Sequence, residues 1–235
     1  MSGPSLQNPL RRNARRLFSF VAYRFWVKPR SQRIVETKLL GFKMVVPPTV
    51  FHPRYFLTSK FMAEFLRRQD FDGKRILDLG CGSGILSLAA ASAGAHVTST
   101  DINPVAVAAT GTNAQLNTLA ERISARAGDL WDALDHHDTP FDYIVSNPPY
   151  YSDDPQNMSE RAFKGGLKNE FMTRVAAALP QFLHPQGSLL VVLSSDVDAH
   201  QLLVPFEEIG CSVRTLETKK LPFETLSIIR IHRKN

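Results

Sequence analysis

The chain has 235 residues, 43% of them hydrophobic, and a net charge of +6. That length builds one sizeable core, or one core with a small appendage. No run of eighteen uncharged apolar residues occurs, which argues against a membrane-spanning helix. The early patch LFSFVAYRFWV is broken by Arg24 and lacks a small-residue cleavage site, so it does not read as a signal peptide. Two cysteines, Cys81 and Cys211, and seven scattered histidines show no metal-ligand spacing. No metal site or disulfide framework is expected, and a reducing, cytoplasmic setting is.

Charge is unevenly placed. Residues 1–38 carry Arg11, Arg12, Arg15, Arg16, Arg24, Lys28, Arg30, Arg33 and Lys38 against Glu36 alone, a local +8, while the other 197 residues sum to −2. Residues 1–45 therefore read as a basic N-terminal arm and 46–235 as the main domain. Within the arm, Leu10, Ala14, Leu17, Phe18, Val21 and Phe25 form one helical stripe, with Arg12, Arg15 and Arg16 opposite. Three readings stay open: a helix docked on the body, a contact with the phosphates of a nucleic acid, or a helix lying on an anionic membrane surface.

From residue 74 onward, strands and helices alternate. RILDL reads as a strand, Ile85 to Ala93 as an Ala-rich helix, and HVTSTD as a second strand ending at Asp101. Asn103 followed by Pro104 is the start signal of a helix reaching about Leu116. RISARAGD and FDYIVS are strands three and four. His136 and His137, in the polar loop between them, read as solvated. A helix over Glu170 to Phe182 precedes the apolar strand SLLVVLSS, and a further helix spans Val197 to Ile209. CSVRTLETKKL and ETLSIIRIHR close the chain, joined through Pro-Phe. The alternation predicts an α/β fold with a mostly parallel seven-stranded sheet, helices on both faces and the last strand antiparallel.

The turn after the first strand, DLGCGSG, carries Gly80, Gly82 and Gly84. This spacing is one residue tighter than the dinucleotide fingerprint, which disfavours a pyrophosphate ligand. Either it makes a tight turn only, or it admits a ligand to the backbone. Asp101 ends the second strand 21 residues after Gly80, where an acid accepts hydrogen bonds from ribose hydroxyls. Asp129, in GDLW with Leu130, follows the third strand at the place for an adenine amino group. These stations at successive strand ends suit a nucleoside without phosphates. Asp78 either orients the turn, caps it or reaches an ammonium group.

Together, ILDLGCGSG, TDINPVAV, GDLW and NPPY resemble the class I S-adenosylmethionine-dependent methyltransferases of the HemK type, over about residues 45 to 232. AFKGGLKNEFMTRVAAALP and ETLSIIRI are similar to the short, eukaryotic and archaeal HemK-like branch. The resemblance implies a Rossmann-like fold, S-adenosyl-L-methionine as cofactor and S-adenosyl-L-homocysteine as product. It also implies cofactor contacts from Asp78, Gly80, Cys81, Gly82, Gly84, Asp101, Ile102, Asp129, Leu130 and Asn147. Members of this type methylate a protein glutamine amide, and relatives with Asn-Pro-Pro-Tyr methylate base amino groups.

The tetrapeptide at 147–150 has its own logic within that frame. A planar NH₂ is a poor nucleophile because its lone pair is delocalised. Two acceptors, the Asn147 side-chain oxygen and the Pro148 carbonyl, favour a pyramidal nitrogen and stabilise the charge that develops on it. The prolines pre-shape the loop, and Tyr150 offers a stacking face. Pro149, Tyr151, Phe51 and Pro53 are the candidate acceptor-binding residues, while Asp153 and Asp154 read as solvated charge. In VFHPRYFLTSKFMAEFL, the residues Val50, Phe51 and Pro53 match the family pattern. The acid expected after the proline is absent, with Tyr55 and Phe56 near its place, and Thr58 is displaced by one. The expected activity is N-methylation of a glutamine amide or of a base in a nucleic acid. A small metabolite is the alternative acceptor, and a non-catalytic cofactor-binding subunit the alternative class.

Overall fold

The structure is a computed structural model that describes residues 33–54, 57–135, 138, 140–149, 165–166, 169–222 and 224–234. The amphipathic stripe with its arginines, and Tyr55, Phe56, His136, His137, Tyr150, Tyr151, Asp153 and Asp154, lie outside the described residues.

Strands β1 (Val35–Leu39) and β2 (Phe42–Val46) form an antiparallel hairpin, followed by helix α1 (Leu57–Leu66). Then come β3 (Arg75–Leu79), α2 (Ile85–Ser92), β4 (His96–Asp101), α3 (Pro104–Leu116), β5 (Ile123–Ala127) and β6 (Phe141–Ser146). Helix α4 (Glu170–Phe182), β7 (Leu183–Ser194), α5 (Ala199–Glu208), β8 (Cys211–Lys220) and β9 (Thr225–Arg233) complete the chain. The sheet runs β5-β4-β3-β6-β7-β9-β8. Only β9 is reversed, pairing antiparallel with both β7 and β8. The mostly parallel, seven-stranded sheet expected from the sequence is therefore present, and the reversed strand lies one place inside the edge.

Strand residues alternate between the two faces, and each face has its own core. Ile76, Val97, Val145, Val192 and Ile228 pack with α1, α2 and α3, where Met62, Leu66 and Leu88 are fully buried. Leu77, Ile144, Leu189, Val191 and Ile231 pack on the other face with α4 and α5, around Phe206 and Leu179. Helix α3 starts as its sequence signalled, with the Asn103 side chain accepting from the Val105 N–H at 3.0 Å and Pro104 in the first turn.

The hairpin was not legible in the sequence, because its pairing to the body uses side chains. Asn113 accepts from the Val45 N–H at 2.7 Å and donates to the Val45 carbonyl at 3.0 Å. One helical turn on, Asn117 does the same with Lys43, at 2.9 and 2.7 Å. Two carboxamides four residues apart, Asn113 on α3 and Asn117 at its C-terminal cap, thus stand in for a neighbouring strand. Asn113 is fully buried and also donates to the Ser83 carbonyl at 2.9 Å, so one side chain ties the hairpin to the glycine turn. Replacing Asn113 by Ala strands backbone groups on both sides and is expected to cost about 1–3 kcal/mol. Asn117→Ala, at an exposed contact, is expected to cost less; chemical denaturation of the two variants checks the order.

Candidate functional site

The strands β3, β4, β5 and β6 point their carboxyl ends at one rim, and there the structure opens a cavity of about 240 Å³. In an open α/β sheet this crevice is where ligands bind. Its floor is the turn from Gly80 to Gly84. The Gly80 and Cys81 N–H groups donate to the Thr100 carbonyl at 2.9 and 3.0 Å, and the Gly82 N–H donates to Asp101 Oδ2 at 2.9 Å. From α3, Thr110 donates to the Gly82 carbonyl at 3.2 Å. Gly82 and Gly84 have φ of +55° and +79°, a conformation side chains rarely adopt. A Cβ at Gly84 would also strike Thr110 at 2.9 Å.

Of the residues singled out in the sequence, Gly80, Cys81, Gly82, Asp101, Ile102, Asp129, Leu130, Asn147, Pro149 and Phe51 line this cavity. Asp78, Gly84, Pro148 and Pro53 are not among its lining residues. Asp78 is fully buried beneath the turn, where the Ser87 hydroxyl of α2 donates to its Oδ2 while Oδ1 has no hydrogen-bond partner. Burial pushes its pKa up from 3.8 to about 7, against the opposing Ser87 bond. Asp101 is likewise raised by burial, opposed by the Asn103 and Gly82 N–H groups. Asp101 thus does two jobs. Each of its oxygens holds a backbone N–H, with Oδ1 accepting from Asn103 at 2.8 Å, and its carboxylate still borders the cavity.

Asp129 faces the cavity from the loop after β5, where Leu130 adopts φ +54°. Its Oδ2 is paired with Arg174 Nη1 of α4 at 2.9 Å. The roof comes from Thr49, Val50 and Phe51, with the Asn103 amide donating to the Thr49 carbonyl at 3.3 Å. At the open side stands Asn147, directly after β6. The preceding Ser146 is pinned by its hydroxyl to the Leu79 carbonyl at 2.8 Å. The Asn147 Nδ2 donates to Ser59 Oγ at 2.8 Å and to Thr58 Oγ1 at 3.2 Å. Gly165 packs against the same loop; a Cβ there would lie 2.7 Å from the Pro149 carbonyl oxygen.

Sequence reasoning missed Ser59, Thr110, Asn113 and Arg174. The asparagines at 113 and 117 were the available signal, since Asn is a poor helix former and two of them one turn apart ask for a partner. Among the described residues, no group of three or more His, Cys, Asp or Glu is placed to hold a metal ion.

The chain matches the methyltransferase small domain family over residues 42–220. A protein of Methanocaldococcus jannaschii described as a candidate protein N5-glutamine methyltransferase is 31% identical over 202 residues, 82% of this chain and 96% of that one. The release factor glutamine methyltransferase of Bordetella pertussis is 36% identical over 126 residues, 49% of this chain and 46% of its own. Among solved structures, the T. thermophilus 16S rRNA N2 G1207 methyltransferase RsmC, in complex with AdoMet and guanosine, superposes with a TM-score of 0.60 at 23% identity. That match covers 86% of this chain and 50% of the other, so the chain spans about half the length of these last two proteins.

The chain belongs to the methyltransferase small domain family and is an S-adenosylmethionine-dependent N-methyltransferase. Its site fits the cofactor on its own evidence. The glycine turn leaves the backbone open to a ligand, and Asp101 and Asp129 stand at two successive strand ends. Asp78 Oδ1 and Thr100 Oγ1 are buried without partners close by.

Asp78 also sets a pH dependence. The folded chain keeps this proton to about pH 7 while the unfolded chain releases it near 3.8. Folding therefore loses stability as pH rises through that window. In Asp78→Asn this contribution vanishes. The thermal midpoint of the variant is expected to fall less than that of the parent between pH 4 and 7, measured by calorimetry.

Proposed function

We propose that the protein methylates the side-chain amide nitrogen of a glutamine within a polypeptide. The observation that carries this reading is the charge of the cavity lining. Among the described residues that line the cavity, Asp101, Asp129 and Glu170 stand against one cation, Arg174, which is paired with Asp129. A phosphate backbone brought to that rim meets a repulsive field, whereas a neutral amide does not. The names of the M. jannaschii and B. pertussis relatives support the same acceptor.

In this reading S-adenosylmethionine supplies an electrophilic methyl group on a sulfonium. The chain's residues hold and aim the partners. The turn at Gly80, Cys81, Gly82 and Gly84, with Ile102 and Leu130, encloses the cofactor. Asp101 accepts from the ribose and Asp129 from the adenine amino group, with Arg174 fixing the Asp129 carboxylate. The Asn147 side-chain oxygen and the Pro148 carbonyl accept the two hydrogens of the acceptor NH₂, localising its lone pair on nitrogen. Phe51, Pro53 and Pro149 serve the acceptor channel, and the sequence assigns Tyr150 to stacking on the acceptor and Tyr151 to binding it. No general base is needed, because the nitrogen proton becomes acidic only after the methyl has moved. In-line proximity supplies most of the rate.

Asn147→Ala is expected to abolish turnover and leave cofactor affinity nearly unchanged, while Asp101→Ala weakens cofactor binding; calorimetry alongside an activity assay separates them. The acceptor is identified by incubating the enzyme with radiolabelled cofactor and fractionated cell extract. Label removed by protease and resistant to nuclease is the expected result; the reverse selects a nucleic-acid base.

That second reading is favoured by one observation, the local +8 of residues 1–38. We assign this segment to contact with an anionic surface, nucleic acid or membrane, rather than to the acceptor site. The body has no helix among its described residues long and apolar enough to cross a membrane, and cytoplasmic residence is part of the proposal. Deleting residues 1–30 is expected to weaken binding to a polyanion such as total tRNA and flatten its salt dependence. Methyl transfer to the isolated acceptor is expected to be largely retained.

A further inference from the structure

The Asn-Pro-Pro loop leaves one degree of freedom open at its chemical centre. The prolines restrict the backbone on the C-terminal side of Asn147, and the Ser146 hydroxyl, bound to the Leu79 carbonyl at 2.8 Å, fixes the N-terminal side. Neither restrains the carboxamide itself. The terminal torsion of asparagine is broad and roughly two-fold, so an unguided side chain presents oxygen or nitrogen to the acceptor with little preference.

We propose that Ser59 and Thr58 are positioning residues that select the productive face of Asn147. Their hydroxyls receive the two N–H bonds of its Nδ2, at 2.8 and 3.2 Å. The amide nitrogen has two hydrogens, and the first turn of α1 offers two separate oxygens, so the plane is held at both ends of the NH₂ group. The side-chain oxygen then lies across the amide from α1. Both hydroxyls belong to buried residues, 4% and 8% exposed, where water competes poorly for the same donors. Ser59 also lines the cavity, so the clamp stands beside the reacting centre.

This assignment gives α1 a purpose beyond packing. Its apolar side, with Phe61, Met62 and Leu66, is seated in the core. Its first turn is thereby held at a fixed distance from the end of β6, and the two hydroxyls carry that rigidity to Asn147. A helix 88 and 89 residues away in sequence sets the orientation of the amide.

The inference rests on the reading of Asn147 given under Proposed function, and the test keeps the two apart. Full-length Thr58→Val/Ser59→Ala removes both hydroxyls at nearly constant shape. The acceptor is the extract fraction that the parent labels, with radiolabelled S-adenosylmethionine at saturation. Turnover is expected to fall about 100-fold, the scale of a small misplacement of a reacting group. Affinity for S-adenosyl-L-homocysteine, measured by calorimetry, is expected to stay within about twofold. Thr58→Ser and Ser59→Thr, which keep the hydroxyls, are expected to recover most of the rate. Independently of activity, the Asn147 side-chain amide signals in a ¹H–¹⁵N spectrum, identified by their loss in Asn147→Ala, are expected to shift and exchange faster in the double variant.

Turnover within about twofold of the parent, or unchanged Asn147 amide signals, overturns the proposal. So does a parallel loss of S-adenosyl-L-homocysteine affinity, which assigns the effect to displacement of α1. If Asn147→Ala itself retains turnover, the acceptor reading fails and takes this inference with it. If Asn147→Ala is inactive while the double variant is fully active, only the role of the hydroxyls is lost.

Discussion

A parallel sheet leaves unpaired strand ends at one rim, and a ligand can reach them only if the first strand-to-helix turn keeps its backbone open and still. The turn from Gly80 to Gly84 meets that demand through fixed hydrogen bonds. Asp101 grips the Gly82 N–H, the Thr100 carbonyl takes the N–H groups of Gly80 and Cys81, and α3 holds the carbonyls of Gly82 and Ser83 through Thr110 and Asn113. Glycine makes the required conformation cheap but contributes no side chain to stabilise it. Rigidity is therefore imported from β4 and α3, and the cavity inherits its shape from them.

The same economy explains why so many polar groups are buried on this side of the sheet. Asp78, Ser87, Ser99, Thr100, Thr110 and Asn113 are each at most 1% exposed. Ser87 bridges Asp78 and Ser99, with 2.8 Å to the latter. Burial of a charge without full compensation is unfavourable, and burial raises the pKa of Asp78 and Asp101 for that reason.

Two layers meet beside Asn147. One carries the hairpin and α1, which supply the roof at Thr49–Phe51 and the hydroxyls beside Asn147. The other is α4, which closes on the Asn-Pro-Pro loop through the Phe171 N–H to the Gly165 carbonyl at 2.9 Å and reaches Asp129 through Arg174. Between them the described cavity lining is acidic, while the chain's excess of positive charge lies in its first 38 positions. In the proposed reading, chemistry at the cavity and attraction of a polyanion are separated along the chain.

Much of the architecture was legible in the sequence. Hydrophobic patterning and start signals give β6 and α4 with the boundaries later observed, because an apolar strand ending in Asn-Pro and an amphipathic helix are local properties. The Asn103-Pro104 cap and the glycine turn after β3 were equally readable. The hairpin and the α1 hydroxyl pair were not. Their partners lie 68 to 89 residues away, and their bonds run between side chains and backbone or between side chains. The sequence by itself determines that strand ends, glycines and an Asn-Pro-Pro turn occur in the right order. Which way Asn147 faces, and which charges share its rim, is decided only when β3, β6, α1 and α4 converge, because no short-range preference chooses between the two faces of an amide.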